Sequence, residues 1–122
     1  MADQIANVLV WSEIPAADFD RAKAFYETLF GVPLKEDASG PNRMAMLPFE
    51  GAAAAGHIYP GKPAKPGEGI TVHFTLPCSL AEAMDRIREG GGEVTSDIVK
   101  IDAGSFFYAN DTEGNSIGIF KA

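Results

Sequence analysis

A chain of 122 residues with 46% apolar side chains is long enough to bury one core without disulfide or metal staples, and too apolar to remain disordered. The formal charge of -7 excludes the basic surface that nucleic acids and anionic membranes require. No apolar run approaches a membrane span, MADQIANVLV lacks the regions of a secretory leader, and the single Cys78 cannot close an intramolecular disulfide, so a reducing cytoplasm is the expected setting.

The first organised stretch is Trp11–Gly31. Val8, Val10, Ser12 and Ile14 alternate with Leu9, Trp11 and Glu13, which predicts a strand with Trp11 and Glu13 on one face. Pro15, without an N–H for a ladder, is expected to end it. Asp18 then caps a helix, and Gly31 stops it in the left-handed conformation. Phe19, Ala22, Tyr26, Leu29 and Phe30 recur at three-to-four spacing and form its apolar stripe. Val32–Ala38 and Met44–Phe49 read as short strands around the turn Ser39–Asn42. Gly51–Tyr59 has alanines that favour helix, but its length and flanking glycines suit a strand in a tight place.

Gly61–Gly69, with its Pro, Gly and Lys content, is the clearest loop and the expected link between two halves. Ile70–Leu76 is a further strand, stopped by Pro77. Ser79-Leu80-Ala81-Glu82 is a capping-box pattern that opens a second helix, with Leu80, Met84 and Ile87 on its buried side and Gly90–Gly92 at its end. Glu93–Val99, Ser105–Ala109 and Ser116–Phe120 complete the strands, the last after a turn at Asp111–Asn115.

The two halves therefore share one order of strand, proline, helix, glycine stop and three strands. Ile14-Pro15 repeats as Leu76-Pro77, 62 residues on, and the same shift sets Trp11 on His73, Glu13 on Thr75 and Gly56 on Gly118. The expected fold is α+β: two tandem βαβββ modules, about 1–60 and 70–122, joined by the loop 61–69 in a single domain that forms an open barrel-like cavity.

WSEIPAADFDRAKAFYETLFG, the central HFTLP…GGGEV segment and the terminal DTEGNSIGIF resemble the vicinal oxygen chelate superfamily, which includes glyoxalase I, extradiol dioxygenases and bleomycin-resistance proteins. The resemblance spans nearly the whole chain and is nearest to small bacterial glyoxalase-like, lactoylglutathione-lyase-related proteins. It implies two βαβββ modules around a cavity, a homodimer, and, in metal-dependent members, ligands on the first and last strands of each module. On this sequence those positions are Trp11, Gly56, His73 and Gly118, and only His73 is a ligand. A transition metal needs about three or four N, O or S donors. The expectation is accordingly a small-molecule binding protein or enzyme that keeps the fold and cavity without the divalent metal or another cofactor. A metal-dependent lyase, isomerase or dioxygenase using displaced ligands such as Glu13, His57 and His73 is the alternative, and it needs the alanine-rich strand shifted by one residue. A drug-sequestering dimer is a third reading.

By alternation His73 shares the cavity face with Thr71 and Thr75, and the repeat brings Trp11 and Glu13 to that face. His57, out of phase with Gly56, is expected to point to the helices or solvent, and a one-residue slip would exchange the two histidines. A carboxylate among Val8–Ile14 is costly to bury unless paired, so Glu13 and His73 are the candidate catalytic pair, facing one another across the cavity. Trp11, Thr71, Thr75 and Tyr108 are the candidate ligand contacts. Cys78, without a basic neighbour in sequence, reads as a half-buried packing residue.

Overall fold

The computed structural model describes residues 8–51 and 55–122. Residues 1–7, where the absence of a secretory leader was expected, and 52–54, within the expected Gly51–Tyr59 strand, lie outside the described residues. The elements follow in the order β1 (Trp11–Ala16), α1 (Phe19–Phe30), β2 (Glu36–Asp37), β3 (Met44–Met46), β4 (Ala55–Pro60), β5 (Val72–Phe74), α2 (Leu80–Glu89), β6 (Glu93–Val94), β7 (Val99–Ile101), β8 (Gly104–Asn110) and β9 (Ser116–Lys121). One sheet has the order β1-β4-β3-β2 and the other β5-β9-β8-β6, with β7 also on β8. In each sheet the first strand lies parallel to the last, and the other pairings are antiparallel. This is the expected pair of βαβββ modules in two mixed sheets.

β6 and β7 are the two ends of one interrupted strand. Between them Ser96 Oγ accepts the Tyr108 N–H at 2.8 Å, so a side chain takes the ladder position that a backbone carbonyl would fill. β1 runs on through Pro15, contrary to the expectation that proline would end it. It lies at the edge of its sheet and bonds only β4, so a residue without an N–H interrupts no second ladder.

Both helices form as their sequences dictate. Asp18 accepts the Arg21 N–H at 3.1 Å, and Gly31, at φ 75°, closes α1 with its N–H on Glu27. Ser79 caps α2 through the Glu82 N–H at 3.0 Å. The Glu82 carboxylate does not complete a reciprocal box but turns to Arg86, 3.5 Å away. The stripe of α1 (Phe19, Ala22, Phe25, Tyr26 and Leu29) and that of α2 (Leu80, Ala83 and Ile87) enter one core with Ile14, Ile58, Phe107, Ile117 and Ile119 from the two sheets. Gly90 and Gly92 end α2 against the Phe25 ring, where an added Cβ would stand 2.9 and 2.6 Å from ring carbons.

The turn between β8 and β9 fastens the modules together. Asp111 is buried, and its carboxylate accepts the Tyr26 hydroxyl at 2.5 Å, the Asn115 side-chain amide, and the N–H groups of Glu113 and Asn115. Asn115 also donates to the Pro15 carbonyl at 2.8 Å, and Glu113 takes Arg21 in a two-point ion pair at 2.8 and 3.0 Å. What reads locally as an Asp-Gly-Asn turn is thus the tie between α1, the end of β1 and the second sheet.

Candidate ligand-binding site

Pairing of β1 with β4 decides which side chains meet. Ser12 lies opposite Gly56, Glu13 opposite His57 and Ile14 opposite Ile58. Ile14 and Ile58 are buried in the core, so Trp11, Glu13, Ala55 and His57 share the other, concave face. Met46, opposite His57 on β3, and Met44 extend that face. The expectation for His57 is therefore corrected: it turns away from the helices and stands between Trp11 and Glu13. The alanine-rich strand is one residue out of the expected register. The residue that accompanies Trp11 across the sheet is Ala55, and Gly56 instead lies under Ser12, whose carbonyl oxygen would be 2.2 Å from an added Cβ.

The Trp11 indole N–H donates to His57 Nδ1 at 2.9 Å, and His57 Nε2 stands 3.3 Å from Glu13 Oε1. His57 is only 7% exposed, whereas the Glu13 side chain is 67% exposed. A covered imidazole thus backs an open carboxylate. Tyr59 packs edge-on to the His57 ring, with centroids 5.9 Å apart. Glu13, His57, Tyr59 and Met44 form one wall of a pocket of about 260 Å³, and Gly40, Pro41 and Asn42 of the loop before β3 form the other. That volume lies just under the roughly 300–1,000 Å³ of drug-sized sites. A broader depression over the end of α1 and Val32-Pro33 is open, and the carboxylate it contains, Glu27, is already engaged by Lys23 and the Leu34 N–H.

His73 lies on the concave face of the second sheet, opposite Gly118 and directly over it. Its ring packs edge-on to Phe106 and Tyr108, with centroids 5.8 and 5.7 Å away. The expected pairing of Glu13 with His73 is not formed: Glu13 meets His57, because β1 is paired in register with β4. Trp11, expected to touch the ligand, bonds His57 instead and does not itself line the pocket. Thr71 shares a hydrogen bond with Ser116 at 2.5 Å, and Thr75 is exposed beyond the end of β5. Tyr108 joins the aromatic group around His73. Sequence reasoning placed His57 beside Glu13 only in its alternative with the alanine-rich strand shifted by one residue, and it missed Tyr59 and Met44 as pocket residues.

The divalent metal of the resembling superfamily does not fit this donor set. Trp11 and Ala55 offer no ligand, and in the second sheet His73 stands over a glycine. Among the described residues no three His, Cys, Asp or Glu side chains gather to hold a metal ion. His57 has its Nδ1 lone pair committed to the indole.

Two parallel–antiparallel sheets of this order, each with its helix after the first strand, define the glyoxalase fold. Residues 4–119 match the profile of the Glyoxalase/Bleomycin resistance protein/Dioxygenase superfamily, and the chain belongs to that superfamily. Among its relatives is a Mycobacterium bovis protein that carries the glyoxylase name, CFP32, 28% identical over 120 residues that make up 92% of this chain and 44% of the relative. The chain thus spans about half the length of that curated relative. A glyoxylase-like domain-containing protein of Didymella fabae is 29% identical over 88% of each chain. The crystal structure of a glyoxalase/bleomycin resistance protein from Albidiferax ferrireducens superposes with a TM-score of 0.66 at 21% identity, over 93% of this chain and 98% of that one. Among the described residues no helix is long and apolar enough to cross a membrane.

Proposed function

We propose that this protein binds a small organic molecule in the pocket between β1, β4 and the loop before β3, without a divalent metal. The carrying observation is the open carboxylate of Glu13 set against the covered His57, with Met44, Pro41 and Tyr59 supplying apolar contact. A carboxylate is an acceptor only, so the guest is one that presents a hydrogen-bond donor or a positive charge there. If the guest is also turned over, Glu13 is the group placed to take a proton from it, with His57 Nε2 behind it. The glyoxylase and glyoxylase-like names of the relatives put small hydroxyl-bearing carbonyl compounds first among the candidates, their hydroxyl supplying the donor that Glu13 accepts.

A thermal-shift screen of small polar metabolites and cationic drugs tests this, with every hit repeated on Glu13→Gln and in the presence of a chelator. Hits that shrink on Glu13→Gln and survive chelation support the reading. Hits that vanish with chelator, or one equivalent of bound metal lost on His57→Ala, would replace it with metal-dependent chemistry. We further propose that the working unit is a homodimer in a reducing compartment. Val10, Ile70 and Ile101 are each more than half exposed, apolar side chains of the kind that a second copy could cover. Sedimentation of the native chain as a monomer at micromolar concentration would refute that assembly.

A further inference from the structure

The concave face holds one buried titratable side chain with both of its nitrogens facing named groups, and this fixes more than a contact. An indole N–H is a donor and has no acceptor lone pair in the ring plane. Trp11 Nε1 lies 2.9 Å from His57 Nδ1, so Nδ1 must be the unprotonated, accepting nitrogen. A neutral imidazole has one N–H, and it is therefore on Nε2, the nitrogen 3.3 Å from Glu13 Oε1. Each of the three side chains then has a defined sense: donor, acceptor-and-donor, acceptor.

We propose that Trp11 is a positioning residue that locks His57 in its Nε2–H tautomer, so that the pocket presents a Glu13 carboxylate backed by an N–H. The proposal rests on the site assigned above but not on the identity of any guest. It also gives a chemical reason for the poor fit of a metal. The one in-plane lone pair of the neutral imidazole is spent on the indole, and the other nitrogen carries the proton. The indole is thereby the internal occupant of the position from which a His ligand would otherwise be directed.

Trp11 rather than Glu13 is assigned the role for two reasons. Its contact to His57 is a well-formed hydrogen bond within ordinary N–H···N range, whereas the Glu13 contact is longer. The Glu13 side chain, moreover, is 67% exposed, so water competes for its contact. A more enclosed hydrogen bond is less diluted by water.

The test is nitrogen-detected NMR of the His57 ring, followed to the alkaline plateau of its own resonances. In the native protein Nδ1 should resonate as an unprotonated, pyridine-type nitrogen and Nε2 as a protonated, pyrrole-type one. Glu13→Gln should leave that pattern intact, and Trp11→Phe should move both nitrogens towards the averaged position of a freely exchanging imidazole. A native Nδ1–H, or a Trp11→Phe protein with the native pattern, overturns the proposal. So does loss of the pattern in Glu13→Gln, which would hand the role to the carboxylate.

A second measurement avoids the Trp11 variants altogether. The chain has one tryptophan, so its indole N–H is a single resonance. In His57→Gln, whose amide offers an acceptor and a donor, this signal should stay downfield and protected from exchange with water. In His57→Leu it should shift upfield and exchange. Equal indole signals in the native, Gln and Leu proteins overturn the lock. None of these readouts depends on a ligand, so a failed ligand screen and a failed tautomer lock are distinguishable results.

Discussion

Asp111 is the residue whose loss should cost the fold most for its size. Its carboxylate is buried and accepts four hydrogen bonds: one from Tyr26, two from Asn115 and one from the Glu113 amide. Hydrogen bonds to a charged group contribute about 1.5–3 kcal/mol each when removed singly, and they do not add within one network. Asp111→Ala leaves the Tyr26 hydroxyl, which is fully buried, without its partner, and frees a turn that also holds the Pro15 carbonyl through Asn115. We expect a loss of about 3–4 kcal/mol, more than one charged bond is worth and well short of the sum of four, because bonds within one network do not add. On a domain of this size that is a melting temperature lower by roughly 10–15 °C. Tyr26→Phe removes a single bond and leaves Asp111 with Asn115 and the two amides, so it should cost about 1.5–2 kcal/mol. Urea unfolding checks both, read as a lower midpoint at unchanged slope. The double variant should cost less than the two singles together. An Asp111→Ala protein within about 1 kcal/mol of the native one would refute the claim that this turn ties the modules.

Burial, then the Asp111 charge and the hydrogen bond to it, push the Tyr26 phenol well above its ordinary value of 10.0. Its stabilising effect is present below that value and fades as pH climbs towards the raised one, so phenolate absorbance from Tyr26 should appear only with unfolding, and Tyr26→Phe should flatten the alkaline limb of the stability profile. Glu113 moves the other way: burial raises its carboxyl, but Arg21, the Asp18 amide and Thr112 outweigh this and bring it below its ordinary 4.5. Glu113→Gln should therefore be less stable than native protein at neutral pH and converge with it as pH falls through the lowered value. Because the Arg21 partner is half-exposed, that gap should shrink with added salt. The two concave-strand glycines should part company. Gly56→Ala meets the Ser12 backbone, which cannot yield, and should cost about 2 kcal/mol or more in thermal unfolding. Gly118→Ala meets the exposed His73 ring first, which can swing aside, and should shift the His73 resonances with little loss of stability.

Both modules were legible because their signals are local and agree. Asp18 and Gly31, Ser79 and the Gly90–Gly92 stop bound the helices wherever the strands lie, and the period of α1 names Phe19, Ala22, Tyr26 and Leu29 as core. The alternation that sets Trp11 and Glu13 on one face is likewise intrinsic to β1. What local signals do not carry is the register between strands. Gly51–Gly56 has no bulky side chain to commit one face to the core, so aligning Gly56 with Gly118 was free to slip by one residue, and that slip alone moved His57 from the core side to the pocket. Asp111 shows the same limit from another side: the turn is written in its own residues, but its tie to Tyr26 spans 85 positions.

A cue to His57 was nevertheless present in the chemistry of β1. Trp11 can only donate in its ring plane and Glu13 can only accept, and they share a face two residues apart, about 7 Å along a strand. A single side chain that satisfies both must accept at one end and donate at the other, and the neutral imidazole does so across one rigid ring. The chain has two histidines. His73 belongs to the first strand of the other module, where it occupies the place equivalent to Trp11 in its own sheet, so the strand that pairs with β1 must supply the other. Only the register with Glu13 opposite His57 lets β4 do so, and that is the register observed. The complementarity of donor and acceptor thus agrees with the strand alignment that the alanines left open, an alignment that the burial of Ile14 and Ile58 on the opposite face also requires.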